Sequence, residues 1–345
     1  HGLGIPTTRA LCLTGSDLPV HRESVESGAL VTRLAPSFIR FGSFEVFYYR
    51  GQHEEIKTLA DFALRHYFPE LLDEARPYPA LLREITRRTA RLMAQWQAAG
   101  FCHGVMNTDN MSILGLTLDY GPYGFMEAYD PRYVCNHSDH DGRYAYDQQP
   151  QIGAWNCTCL AQALLPLMEL DEAQEALSGY GDIFATEYMR LMCAKLGLPF
   201  EEASAPLLTG LLDLMAQNRT DYTILFRALA GFDSGAAAKN AGLRDLFIAR
   251  EAFDAWAAGY GARLRALGSE DAARAARMHR VNPKYVLRNH LAEIAIRKAR
   301  DERDYTEIER LRGLLARPFD EQPEFDDYAK EPPDWAREIA VSCSS

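Results

Sequence analysis

The sequence predicts an α+β fold in which helices outweigh strands, and three observations carry that reading. Leu81, Leu82, Ile85, Leu92, Met93 and Trp96 recur every three to four residues, with Arg83, Arg87, Arg88 and Arg91 on the other faces. That spacing is the signature of an amphipathic helix. Two short apolar runs, Met111-Ser-Ile-Leu114 and Leu116-Thr-Leu118, pivot at Gly115, which reads as a tight hairpin. From about residue 156 onward the periodicity is almost wholly helical.

Taken in order, residues 30–34 (Leu-Val-Thr-Arg-Leu) read as a strand that Pro36 ends. Ser37 is then placed to cap a helix running through Phe38, Phe41, Phe44 and Phe47. The helix over 81–96 stops at Gly100 and leads straight into a polar loop at His103. Further helices are expected over Leu160–Leu170, Pro206–Met215, Leu243–Leu267 and 291–315. Asp221-Tyr-Thr-Ile-Leu-Phe-Arg227 reads as a helix-packing segment, and Trp96, Trp155, Trp256 and Trp335 as core or tail anchors. Beyond Pro318 the chain turns acidic and proline-containing, as expected of an extended tail packed on a surface and closing with Cys343-Ser344-Ser345.

The 345 residues, 47% of them hydrophobic, are enough for one large core or two smaller ones. A net charge of -11 argues against a nucleic-acid binder, which normally shows a basic face. No run of about 18 apolar residues occurs, so no span of a membrane is expected. The seven cysteines lack a C-x₂-C pair, which argues against a disulfide framework or a structural zinc site and favours a reducing compartment. His1-Gly2-Leu3-Gly4 reads like the middle of a domain, so a truncated front is expected, with any targeting segment lying upstream.

Chemistry concentrates between His103 and Phe125, HGVMNTDNMSILGLTLDYGPYGF. Asp109 adjoins Asn110, and the hairpin at Gly115 would return Asp119 close to that pair. Two carboxylates and an amide oxygen on adjacent loops suit a hard divalent cation that keeps positions free for phosphates and water. Helix, loop, hairpin and helical remainder follow the order of a kinase large lobe, whose metals are held by an Asn and an Asp. A kinase has an aspartate base two residues after the loop histidine; here that place is Val105, which cannot accept a proton. Asp109 is the nearest carboxylate able to take over.

These residues resemble the selenoprotein O family of protein adenylyltransferases, which have a pseudokinase fold. The likeness rests on MNTDNMSILGLTLDYGPYGF, on CNHSDHDGRYAYDQQP at 135–150, on APSFIRFGSFE at 35–45 and on VNPKYVLRN at 281–289. Cys343 stands where eukaryotic members carry selenocysteine.

The resemblance implies an AMP transferase that moves AMP from ATP to protein Ser, Thr or Tyr hydroxyls and releases pyrophosphate, with ATP flipped relative to a kinase. It implies Asp109 as base, Asn110 and Asp119 as ligands of Mg²⁺ or Mn²⁺, and Arg33 and Arg40 as the grip on the distal phosphates, with Asp119 also approaching the nucleotide. A guanidinium fork suits phosphate oxygens better than a lysine.

It also divides the chain: 1–30 as a remnant of an upstream lobe and hinge, 31–317 as a kinase-like large lobe, and 318–345 as the tail. Within the large lobe lie a catalytic loop at 101–125 and an activation-segment-like stretch at 126–155. The β-rich small lobe is expected to be largely missing and the fragment alone to be inactive. The expected partners are ATP and hydroxyl-bearing proteins, and the compartment is cytoplasmic in a bacterium or mitochondrial in a eukaryote.

The resemblance further implies a redox disulfide between Cys135 and Cys343, with two ordinary thiols as the alternative. Two rival functions stay open: a kinase transferring the γ-phosphoryl group, and a silent nucleotide-binding pseudokinase. His137, Asp139, His140 and Asp141 resemble a metal cluster but are expected to shape their loop instead. Cys157 and Cys159 are expected at a helix start, in the core.

Overall fold

The computed structural model describes residues 1–21 and 25–342. Strands β1 (Arg9–His21) and β2 (Val25–Leu34) form an antiparallel hairpin that projects with most of its side chains exposed. Helices α1 (Phe41–Tyr49), α2 (His53–Tyr67) and α3 (Pro77–Ala99) follow. The two-residue strands β3 (Phe101–Cys102) and β4 (Gly124–Phe125) pair antiparallel and bracket the polar loop. The rest is helical: α4 (Gln149–Leu164), α5 (Leu170–Ser178), α6 (Tyr180–Lys195), α7 (Ala205–Asn218) and α8 (Tyr222–Ala228). After these come α9 (Ala241–Arg244), α10 (Arg250–Ala266), α11 (Asp271–His279), α12 (Asn289–Arg297) and α13 (Thr306–Leu315). The result is an α+β fold dominated by helices, with two small two-stranded sheets. Among the described residues no helix is long and apolar enough to cross a membrane.

Two apolar cores both draw on residues of α3. One gathers Phe41, Phe44, Ile56, Leu64, Ile85, Met93 and Leu160; the other Met192, Leu211, Met215, Phe226, Tyr260 and Met278. Burial of this kind stabilises by about 25 cal/mol per Å², and the predicted stripe of α3, from Leu81 to Trp96, lies in the first of these cores. The N-terminal segment adds a backbone clasp. The Thr117 amide donates to the Pro6 carbonyl (2.9 Å), and the Thr8 amide donates to the Thr117 carbonyl (3.2 Å). Trp96 Nε1 donates to Thr117 Oγ1 (3.0 Å), tying this clasp to α3.

Several expectations need correction. Helix α1 begins at Phe41, not at Phe38, because the chain at 39–41 is spent on strand-like pairing with 111–113. The Phe41 amide donates to the Met111 carbonyl (2.9 Å), and the Ile113 amide donates to the Ile39 carbonyl (3.3 Å). Ser37 Oγ accepts from the Ile39 amide (3.1 Å), so it closes a turn and caps no helix. The Leu160–Leu170 run divides at Leu165–Leu167, a 3₁₀ turn holding Pro166. Leu243–Leu267 divides between α9 and α10, where Phe247 is buried against Phe253. The 291–315 stretch is interrupted by a π-helical turn, Lys298–Glu302.

Trp155 is 46% exposed with the Arg143 guanidinium 4.7 Å from its ring centroid, so it anchors no core. Cys157 is buried in mid-helix, not at a helix start, and Cys159 is only half-buried. The tail does pack on a surface: Lys284 Nζ pairs with Glu321 (2.6 Å) and Asp326 (2.7 Å), and Trp335 lies under Arg297.

Candidate active site

Helix α3 ends at Gly100, whose φ of +67° is the left-handed stop that the sequence promised. The loop that follows is held by side chains from elsewhere. Gln149, fully buried at the start of α4, accepts from the His103 amide (2.9 Å) and donates to the Phe101 carbonyl (2.9 Å). Asn156 Nδ2 donates to the Met106 carbonyl (2.9 Å), and Asn136 Nδ2 to the Gly104 carbonyl (3.1 Å). His103 is buried and stacked on Trp96, with centroids 5.1 Å apart. Its Nε2 lies 2.7 Å from the Leu118 carbonyl, and its Nδ1 takes the Val105 amide at 3.4 Å. Those partners fit the neutral ring with hydrogen on Nε2, and burial lowers its pKa below the ordinary 6.5. His103 therefore ties the loop to Leu118, the residue just before Asp119.

The expected hairpin is present. Met111 and Thr117 bridge antiparallel, and Gly115 turns the chain at φ +68° while its amide donates to the Ser112 carbonyl (3.1 Å). Asp119 itself has φ +53°, a left-handed conformation that costs a non-glycine residue about 1 kcal/mol. In this position its carboxylate meets two guanidinium groups from far upstream. Arg33 Nη1 donates to Oδ1 (2.8 Å), and Arg40 Nη1 stands 2.9 Å from Oδ2. Arg33 closes strand β2, and Arg40 caps α1, so strand and helix deliver both charges to one point. Arg40 Nη1 also donates to the Asp109 carbonyl (2.8 Å).

Asp109 and Asn110 share a 3₁₀ turn, Thr108–Asn110. Asn110 Nδ2 donates to the Val105 carbonyl (2.9 Å), which leaves its Oδ1 as the acceptor. The Asp109 carboxylate lies against Gly42, in the first turn of α1. Arg33, Arg40, Asp109 and Asp119 are thus joined directly, while Asn110 enters through its place beside Asp109.

A divalent cation fits these residues. Asp119 Oδ2 is buried yet receives no hydrogen bond, its pairing with Arg40 lacking the alignment. A carboxylate oxygen left with an open lone pair, joined through Arg40 to the turn that carries Asp109 and Asn110, is the kind of donor a hard cation takes together with phosphate oxygens. Among the described residues no group of three or more His, Cys, Asp or Glu side chains could hold a metal. At the other suspected cluster, His137 and His140 lie 6.4 Å apart edge to face. There Asp139 accepts from the Arg143 and Tyr144 amides, which shapes the loop.

Cys135 is buried and its Sγ donates to the Pro122 carbonyl (2.8 Å). Its hydrogen bond with Cys102 and its burial push the thiol well above its usual range. Cys343 lies outside the described residues, but the tail approaches: the His137 amide donates to the Val341 carbonyl (2.8 Å).

Sequence reasoning passed over Gln149, Asn156 and Gly42. Only Gly42 carried a local signal, a glycine inside a helical pattern; the two amides act across 46 and 50 residues of sequence.

The sequence has relatives among known proteins. A family model described as protein adenylyltransferase SelO matches residues 1–315. A protein nucleotidyltransferase YdiU of Thiobacillus denitrificans is 64% identical over the whole chain, which covers 71% of that relative. One from Thioalkalivibrio sulfidiphilus is 57% identical with the same 71% coverage, and one from Paraburkholderia xenovorans 55% identical with 69%. An arginine pair on an aspartate beside a second loop carboxylate thus sits in a sequence matched almost throughout, and the chain belongs to the SelO family of protein adenylyltransferases.

Proposed function

We propose that this site transfers AMP from ATP to Ser, Thr or Tyr hydroxyls of protein substrates, releasing pyrophosphate, and that residues 31–317 are the large lobe of a protein-kinase-like fold. In that division 101–125 is the catalytic loop, 126–155 the activation segment and 318–345 the tail, with 1–30 belonging to an upstream lobe and hinge. The observation that carries the reading is the convergence of Arg33 and Arg40 on Asp119, next to Asp109 and with Val105 where a kinase keeps its base.

Asp109 orients the acceptor hydroxyl and takes its proton as the oxygen attacks the α-phosphorus. The new O–P bond forms while the bond to pyrophosphate breaks. Arg33 and Arg40 hold the outer phosphates of a flipped ATP and neutralise the charge that builds on the leaving group. Asn110 and Asp119 would hold Mg²⁺ or Mn²⁺, which supplies charge neutralisation at the phosphates. Arg33 and Arg40 both pair with Asp119; they would turn to phosphate once Asp119 holds a cation, so nucleotide and cation binding would be coupled. Catalysis is then mainly positioning and electrostatics.

Supplying ATP labelled at either the α or the γ phosphate tests the reading. Label from the α position is expected on protein acceptors; label from the γ position would instead assign a kinase.

The Cys135–Cys343 disulfide belongs to the same proposal. The His137–Val341 hydrogen bond supports it by bringing the tail to the activation segment. Two thiols would lose two protons and two electrons to a disulfide oxidant such as oxidised glutathione. Because Cys135 is buried with its proton held, the segment must open first.

A further inference from the structure

Helix α1 opens Phe41-Gly42-Ser43, and a glycine there is the poorer helix former by every intrinsic measure. Gly42 has an ordinary helical backbone, so no conformational demand explains it. Space does. A Cβ built at residue 42 would fall inside contact distance of Asp109 Oδ1 and 3.0 Å from Asp109 Cγ, while the Asp109 backbone stays at an ordinary 3.5 Å. What a side chain here displaces is therefore the end of the Asp109 carboxylate and nothing else. The neighbouring frame is fixed independently. The Phe41 amide donates to Met111, the Ile113 amide to Ile39, and Arg40 Nη1 to the Asp109 carbonyl. Helix start and loop are thus locked at residues 39–41 against 109–113, with one vacant Cβ position into which the carboxylate settles.

We infer that Gly42 is a positioning residue for AMP transfer: its missing side chain is the seat of the Asp109 carboxylate and sets the direction from which that group meets the acceptor hydroxyl. The inference rests on the assignment of Asp109 as the base. Since a carboxylate can rotate about its own side-chain torsions, methyl at residue 42 is cheap for the fold and expensive for the reaction. Arg33, Arg40, Asn110 and Asp119 keep their places, so nucleotide affinity should not follow.

The test compares the unaltered chain, Gly42→Ala, Asp109→Ala and the double variant, reading label transfer from α-labelled ATP, the KM for ATP and the melting temperature. For Gly42→Ala a fall in kcat of about 10²-fold is expected, the scale of an ångström of misplacement at a reacting group. The KM for ATP should stay within about twofold and the melting temperature should hold or rise, as glycine-to-alanine changes in helices do. In the double variant the second change should add nothing to the loss from Asp109→Ala. An unchanged kcat in Gly42→Ala overturns the inference. So does a loss that comes with a matching rise in KM or a lowered melting temperature, since either would locate the effect in nucleotide binding or folding. Full activity in Asp109→Ala would instead remove the base assignment itself, a separate result read from a separate variant.

Discussion

Replacing Arg40 by alanine strikes a side chain that touches both carboxylate-bearing loops. Its Nη1 makes a 2.8 Å hydrogen bond to the Asp109 carbonyl and stands 2.9 Å from Asp119 Oδ2, with 28% of the side chain exposed. A hydrogen bond from a charged donor is worth about 1.5–3 kcal/mol and a solvent-touched ion pair about 0–1 kcal/mol. With that exposure the lower ends apply, so about 1.5 kcal/mol of stability is expected to be lost. Asp119 is not orphaned, because Arg33 remains on Oδ1 at 2.8 Å.

Activity should suffer more than stability, since the same guanidinium is assigned to the outer phosphates. Losing one charged contact there costs about 2–4 kcal/mol, or about 30- to 1,000-fold in kcat/KM. Arg40→Lys, which keeps a point charge but not the fork, should fall between. The assay is transfer of α-label to a protein acceptor at sub-saturating ATP, with urea unfolding in parallel. Unchanged labelling and KM in Arg40→Ala would refute the assignment of Arg40 to phosphate and the coupling drawn through Asp119.

Asp119→Asn retains a residue at ease with left-handed backbone but removes the charge; labelling should drop by about 10²-fold or more and cease to respond to added Mg²⁺. A normal magnesium titration in that variant would contradict the role of Asp119. Burial holds His103 neutral, with a pKa below 6.5. The unfolded chain takes up a proton near that pH and the folded chain does not, so this stability is present above pH 6.5 and lost as pH falls below it. The slope is up to about 1.4 kcal/mol per pH unit for each such histidine; His279 and His290, also lowered by burial, act with the same sign. Urea unfolding at stepped pH should show this slope, shallower by one proton in His103→Gln; equal slopes would exclude His103 as a contributor. Lys284→Ala removes two ion pairs holding the tail. At about 1 kcal/mol in all, proteolytic cutting beyond residue 318 should quicken about fivefold, and an unchanged rate would show that these two ion pairs do not hold the tail.

What could be read from the sequence was whatever repeats locally. The α3 stripe, its stop at Gly100 and the turn at Gly115 each declare themselves within a few residues, and the structure has all three. Arg33 and Arg40 emerged only through a motif, yet they do meet at one point with Asp109 and Asp119. Their ion pairs with Asp119 were not legible, since 86 residues separate Arg33 from its partner. The start of α1 was misjudged for a related reason: Phe38 and Phe41 keep helical spacing, but backbone pairing with 111–113 claims the segment between them. Gln149 and Asn156 look like ordinary helix residues until the loop carbonyls they serve are in view.

The clasp at Thr117 has a mechanical consequence. Residues 6–8 grip this one position from both sides, and Asp119 follows two residues later, about 7 Å along an extended chain. The grip also reaches Tyr120, whose hydroxyl hydrogen-bonds Thr7. The opening segment is thus a lever whose short arm ends at the carboxylate held by both arginines. A displacement of residues 6–8 is passed at Thr117 both to helix α3, through Trp96, and along two residues of chain to Asp119.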